Sequence, residues 1–79
     1  MTDAPSEKPV VWTIAGSDSG GGAGIQADLN TFRSFKCHGC SIITTVTAQN
    51  SLTVTGLYEL SGNAIDEQLN CLLNDLPPA

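Results

Sequence analysis

The run Val10-Val11-Trp12-Thr13-Ile14-Ala15-Gly16-Ser17-Asp18-Ser19-Gly20-Gly21-Gly22-Ala23-Gly24-Ile25-Gln26-Ala27-Asp28-Leu29 decides how this sequence folds. Its first five residues, Val10 to Ile14, are β-branched and aromatic, the composition of a short buried strand. Gly16 to Gly24 holds five glycines in nine residues, so an irregular loop is expected there. From Ile25 the period changes. Ile25, Leu29, Phe32 and Phe35 or Lys36 recur at helical spacing, with Asp28 and Arg33 off the apolar stripe. Gly39 is expected to stop this helix.

Further along, Ser41-Ile42-Ile43-Thr44-Thr45-Val46-Thr47 is almost wholly β-branched, as befits a strand covered on both faces. Gln49-Asn50-Ser51 is a polar break. Thr53 to Leu60 is a third strand candidate, interrupted by Gly56. Ile65, Leu69, Leu72 and Leu73 mark a second helix, with Asn63 as its expected cap and Pro77-Pro78 ending it. Residues 1–9, polar and carrying two prolines, are expected to be a flexible arm. A right-handed crossover from the first strand to the second makes a parallel βαβ unit. Such a unit needs helices on both faces and further strands, so residues 10–79 read as the opening portion of a larger α/β domain, truncated at Ala79.

Composition narrows the function. The chain has 79 residues, enough for one small domain at most. Charged residues make up 14% and apolar ones 41%, the wrong balance for wholesale disorder. The net charge is −5, and only Lys8, Arg33 and Lys36 could neutralise phosphates, which argues against a nucleic-acid or anionic-membrane surface. No apolar run reaches the ~18 residues of a membrane span, and no signal peptide stands at the start. Three cysteines are too few and odd for a secreted disulfide scaffold. The expected compartment is the cytoplasm.

A glycine loop between a strand and a helix is a general ligand cradle, because backbone N–H groups and the positive helix end point into it. A Walker loop requires a Gly-Lys pair, and no lysine lies between Lys8 and Lys36. The dinucleotide pattern is met by Gly22, Gly24 and Ala27, but Gln49 stands where its acidic residue belongs. Asp18-Ser19-Gly20-Gly21 matches a protease nucleophile segment only in passing, since His38 is the single histidine. A mere tight turn does not need five glycines.

Two blocks carry a family resemblance. Thr13 to Leu29, with its Ala-Gly-Ser-Asp-Ser-Gly-Gly-Gly-Ala-Gly-Ile-Gln-Ala-Asp core, resembles the N-terminal signature of hydroxymethylpyrimidine/phosphomethylpyrimidine kinase. Ser41 to Ser51, ending Thr-Ala-Gln-Asn-Ser, is similar to that family's second strand. The similarity extends from about Val11 to Pro78, with the blocks in matching register. It implies a ribokinase-like α/β fold and a place in thiamine biosynthesis. It further implies phosphorylation of 4-amino-5-hydroxymethyl-2-methylpyrimidine and then its monophosphate, with ATP and Mg2+.

Roles for individual residues follow from the resemblance. Gly16, Ala23 and Thr47 would form walls of the pyrimidine pocket. Gln49 would pair its amide with the ring nitrogen and exocyclic amine, and Asp28 would lie near the hydroxymethyl group. Residue chemistry agrees for Gln49: a primary amide offers one acceptor and two donors at the carboxyl end of a strand, where open α/β sheets bind ligands. The simpler reading of Gln49 is a strand-end residue capping loop amides. For Asp28 it is a solvated helix-face carboxylate.

The family's anion hole, nucleotide contacts and catalytic residue lie in a Gly-Thr-Gly-Cys-like segment that this sequence lacks. No catalytic residue is therefore assigned, and the isolated chain is expected to be inactive. A non-catalytic ligand-binding or vestigial fragment is the rival reading, and a pyridoxal-kinase-like enzyme is the enzymatic alternative. The family further implies a homodimer. Lys36 stands where relatives commonly have glycine, and Cys37 and Cys40 replace residues that are often Val and Thr. Cys37-His38-Gly39-Cys40 lacks a nearby fourth zinc ligand and follows a helix end, so ordinary thiols are expected.

Overall fold

The computed structural model describes residues 8–79, so all of the expected arm but Lys8 and Pro9 lies outside the described residues. The elements run β1 (Val10–Asp18), α1 (Gly24–Ser34), β2 (His38–Gln49), β3 (Val54–Glu59) and α2 (Gly62–Asp75). The sheet order is β1-β2-β3. β1 and β2 are parallel, joined by the crossover helix α1, whereas β3 returns antiparallel to β2 as a hairpin, so the sheet is mixed.

Alternation along β1 assigns the two faces. Thr13 hydrogen-bonds to Asp28 of α1, while the Trp12 indole N–H donates to the Leu76 carbonyl just past α2, at 2.8 Å. One helix therefore covers each face. The core between them is small. Ile25, Cys40 and Ile42 are its buried apolar residues, and Ile14, Val46 and Leu57 stay exposed.

Both strands outrun the expected bounds. Composition alone puts Gly16, Ser17 and Asp18 in the loop, yet they continue β1. After a register shift between Ala15 and Ser17, Ser17 pairs with Val46 and Asp18 with Thr47. The backbone ladder carries these residues where side-chain propensity would not. The end of α1 is a second correction. Lys36, not Gly39, terminates it: Lys36 N–H bonds to the Arg33 carbonyl and Cys37 N–H to the Phe32 carbonyl, the paired bonds of a Schellman motif. Lys36 takes the left-handed position of that motif at φ 60°. Gly39 lies instead in β2 beneath α1, where a Cβ would stand 2.8 Å from Leu29 Cδ2 and 3.1 Å from Phe32 Cδ2. Its missing side chain lets helix and sheet approach.

The third correction is the cap of α2. Ser61 holds it, its hydroxyl accepting from Ala64 N–H at 3.1 Å, and Asn63 is already inside the helix. The α2 residue Gln68 reaches the sheet. Its amide accepts from Ile43 N–H at 2.8 Å and donates to Ile43 C=O at 2.9 Å. This happens just beyond the last β3 contact, where Leu60 N–H donates to the Thr44 carbonyl.

Candidate functional site

The carboxyl ends of β1 and β2 and the loop between β1 and α1 converge on one rim. Asp18, the last residue of β1, organises that loop although it is only 6% exposed. Its Oδ1 accepts from Gly20 N–H at 2.8 Å, its Oδ2 from Gly22 N–H at 3.0 Å, and its carbonyl from Gly21 N–H at 3.0 Å. Two loop amides are thus consumed by a resident carboxylate and a third by the Asp18 backbone carbonyl. A phosphate at this place would have to displace Asp18, so the loop is shaped for a ligand other than a phosphate.

Gln26, in the first turn of α1, closes the loop from the other side. Its Oε1 accepts from Asp18 N–H at 2.9 Å and its Nε2 donates to Ser17 Oγ at 2.8 Å. Gly24 makes the return possible. It takes φ +62°, and a Cβ there would collide with the Gly16 carbonyl. Gly16 is equally constrained, because its Cβ would stand 2.5 Å from Thr45 Oγ1.

Gln49 ends β2 beside this loop. Ser19 Oγ donates to the Gln49 carbonyl at 2.6 Å and accepts from Gln49 N–H at 2.8 Å. Ser19 N–H also donates to the Thr47 carbonyl at 3.2 Å. With its backbone so fixed, the half-buried Gln49 side chain has no hydrogen-bond partner among the described residues, and it lines a cavity of about 240 Å³ with Ser19, Asn50 and Thr55. Asn50 shapes the far wall by accepting from Leu52 N–H at 2.8 Å and Thr53 N–H at 3.0 Å.

Gly16, Ala23, Thr47 and Gln49 therefore all belong to this rim, with Ala23 as the residue before α1. Asp28 lies one turn deeper in α1, where Thr13 Oγ1 donates to its Oδ2 at 2.6 Å. It is half-buried and held to mid-β1 by the 6%-exposed Thr13, not freely solvated. Sequence reasoning missed Asp18, Ser19 and Gln26. Aspartate followed two residues later by glycine in a glycine-rich run is an Asx-turn signal that would have found the first.

The matches to known proteins bear on the same residues. The phosphomethylpyrimidine kinase family model matches residues 18–79. This chain belongs to that family. It is 56% identical over 70 residues to the hydroxymethylpyrimidine/phosphomethylpyrimidine kinase of Synechococcus elongatus, covering 89% of this chain and 27% of that one. Among solved structures, phosphomethylpyrimidine kinase from Clostridium difficile 630 superimposes with TM-score 0.87 at 48% identity, over 90% of this chain and 31% of that one. Staphylococcus aureus pyridoxal kinase gives 0.80 at 33% identity, over 90% and 26%. The fold is ribokinase-like α/β, and the chain spans about a quarter of the length of the curated relatives it matches.

The three cysteines are free: Cys37 is half-buried, Cys40 buried and Cys71 exposed. Burial pushes the Cys40 thiol above its ordinary value, and the nearby negative charge of Asp75 adds to the effect. Among the described residues no three His, Cys, Asp or Glu side chains gather as a metal would require, and no helix is long and apolar enough to cross a membrane.

Proposed function

We propose that this chain is the pyrimidine-binding part of a hydroxymethylpyrimidine/phosphomethylpyrimidine kinase acting in thiamine biosynthesis. One observation carries the reading: the Gln49 side-chain amide has no hydrogen-bond partner among the described residues, and its backbone is clamped by Ser19 beside a cavity. Such an amide offers an acceptor and donors to an aminopyrimidine edge. Gly16, Ala23 and Thr47 give the ligand close backbone approach, and Asp28 lies on the adjoining face of α1 to receive the hydroxymethyl end.

The phosphate donor is ATP. Phosphoryl transfer depends on positioning and charge stabilisation about the moving phosphate. The glycine loop here spends its amides on Asp18, so it supplies neither. Mg2+ takes one or two carboxylates together with substrate phosphates, and the carboxylates beside this loop are already engaged, Asp18 by Gly20 and Gly22 N–H and Asp28 by the Thr13 hydroxyl. The chain's own residues do not fit the metal, and no step is assigned to it. The enzyme works in the cytoplasm on small molecules, as a homodimer, without nucleic acid or membrane.

Likeness to pyridoxal kinase supports a second reading, in which the same rim takes pyridoxal. A graft separates the two. Residues 10–78 replace the homologous segment of the Synechococcus elongatus relative, and turnover is measured on both substrates. Preference for the aminopyrimidine is expected. Preference for pyridoxal, or no turnover from a folded graft, overturns the reading.

A further inference from the structure

The chain carries three Lys and Arg residues and one histidine against eight acidic residues. All four of these basic side chains line one groove. Lys8 comes from the approach to β1, Arg33 and Lys36 from the end of α1, and His38 from the start of β2, around a space of about 650 Å³. Asn30 adds an amide, and no described lining residue is acidic. The groove reaches the opposite end of α1 from the glycine loop, roughly 16 Å away for an 11-residue helix rising ~1.5 Å per residue. Gln26, which closes the glycine loop, lines the near end of the groove, but the basic cluster gathers at the far end of α1, and its use does not depend on the pyrimidine reading.

Two features exceed what helix termination requires. Cations in a last helical turn complement the helix dipole, which accounts for Arg33. It does not account for Lys8 and His38, which arrive from other elements. Nor does it account for Lys36, which holds the left-handed position at φ 60° that glycine takes without strain. A charged side chain kept where the backbone favours none is an outlier that points to use of the charge.

The geometry points to a binding site for a diphosphate group in this groove. Several converging ammonium and guanidinium donors suit a compact, multiply charged oxyanion. A nucleic acid fits poorly, because no Phe, Tyr or Trp lines the groove for base stacking and the net charge of −5 repels a long polyanion. The diphosphate could be inorganic pyrophosphate or the diphosphate end of a nucleotide.

The test is an NMR titration of the full 79-residue chain at low temperature with pyrophosphate, ADP, AMP and sulfate in parallel. Pyrophosphate and ADP are expected to shift the amides of Arg33, Lys36 and His38, more weakly as sodium chloride rises from about 50 to 200 mM. AMP and sulfate are expected to bind at least about ten-fold more weakly. Tighter pyrophosphate binding marks an inorganic ligand, and tighter ADP binding a nucleotide one. Lys36→Gly should cut affinity about ten-fold while α1 amide protection is kept or raised, since glycine relieves the strain. Arg33→Gln should cut it similarly. Shifts scattered over the chain, no shift at all, equal binding of sulfate, or unchanged affinity in Lys36→Gly overturns the proposal.

Discussion

Ser19 and Gln49 hold each other through two reciprocal hydrogen bonds, the hydroxyl donating to the Gln49 carbonyl at 2.6 Å and accepting its N–H at 2.8 Å. A loop residue thereby extends the β1–β2 pairing by one position beyond Asp18. The same clasp leaves the Gln49 side chain as the unengaged part of the residue, facing the cavity.

Truncating that side chain should expose its worth. In the graft, Gln49→Ala leaves the aminopyrimidine edge unpaired, and loss of one buried partner costs about 1–3 kcal/mol, so affinity should fall about ten- to a hundred-fold. The Michaelis constant for the pyrimidine is the readout. A value that barely moves contradicts the pocket assignment.

Asp18→Ala should loosen the glycine loop. Gly20 and Gly22 lose carboxylate acceptors at 2.8 and 3.0 Å, and hydrogen bonds to a charged group are worth about 1.5–3 kcal/mol each before water replaces them. A net loss of about 2 kcal/mol is expected, with faster amide exchange from Gly20 to Gly22 than elsewhere. Unchanged exchange there would show that the loop is organised by something else.

Gly39→Ala should separate α1 from the sheet. The new methyl would lie 2.8 Å from the flexible end of Leu29 and 3.1 Å from the Phe32 ring. Overpacking of this kind costs about 1–3 kcal/mol, and Gly39→Val should cost more. Denaturant titration of the graft and its variants measures the difference, and equal stability of all three would refute the close approach.

Thiol alkylation at pH 8 should run in the order Cys71, Cys37, Cys40. Only the thiolate reacts, and Cys40 is both buried and raised in pKa by burial and by Asp75. The sign follows directly: the folded state resists losing this proton, so stability is constant below the ordinary value of 9.0 and declines as pH rises beyond it. After denaturation all three should react, and metal analysis should find no stoichiometric zinc. Cys40 labelling first would contradict the burial.

The 79-residue chain alone should melt broadly and consume no ATP on addition of pyrimidine. Its buried apolar core is Ile25, Cys40 and Ile42, while Ile14 remains 61% exposed. Small cores leave little cooperativity. Calorimetry and a coupled ATP assay decide it. A sharp two-state transition with turnover would refute both halves.

Element order was legible because hydrophobic period changes sharply, from the β-branched Val10–Ile14 to the helical spacing of Ile25 and Leu29. The ends were not. Ser17 and Asp18 are strand residues by backbone pairing alone, which propensity does not register. Lys36 closes α1 in a conformation usually left to glycine, so composition points to Gly39 instead, whose true role depends on the helix packed above it. The rim residues Gly16, Ala23, Thr47 and Gln49 were found through the family's motifs. Asp18 was passed over because its partners are backbone amides, which no side-chain pattern reveals.

Gln68 gives the sheet a protection that its strands do not provide. A strip of unpaired ladder invites a strand from another molecule to zip on, and Ile43 would begin such a strip where β3 leaves off. By occupying both polar groups of Ile43, the Gln68 amide stands in for a neighbouring strand. The helix thus acts as a gatekeeper against intermolecular β-pairing, and a change as mild as Gln68→Leu would turn a quiet edge into a seed for aggregates.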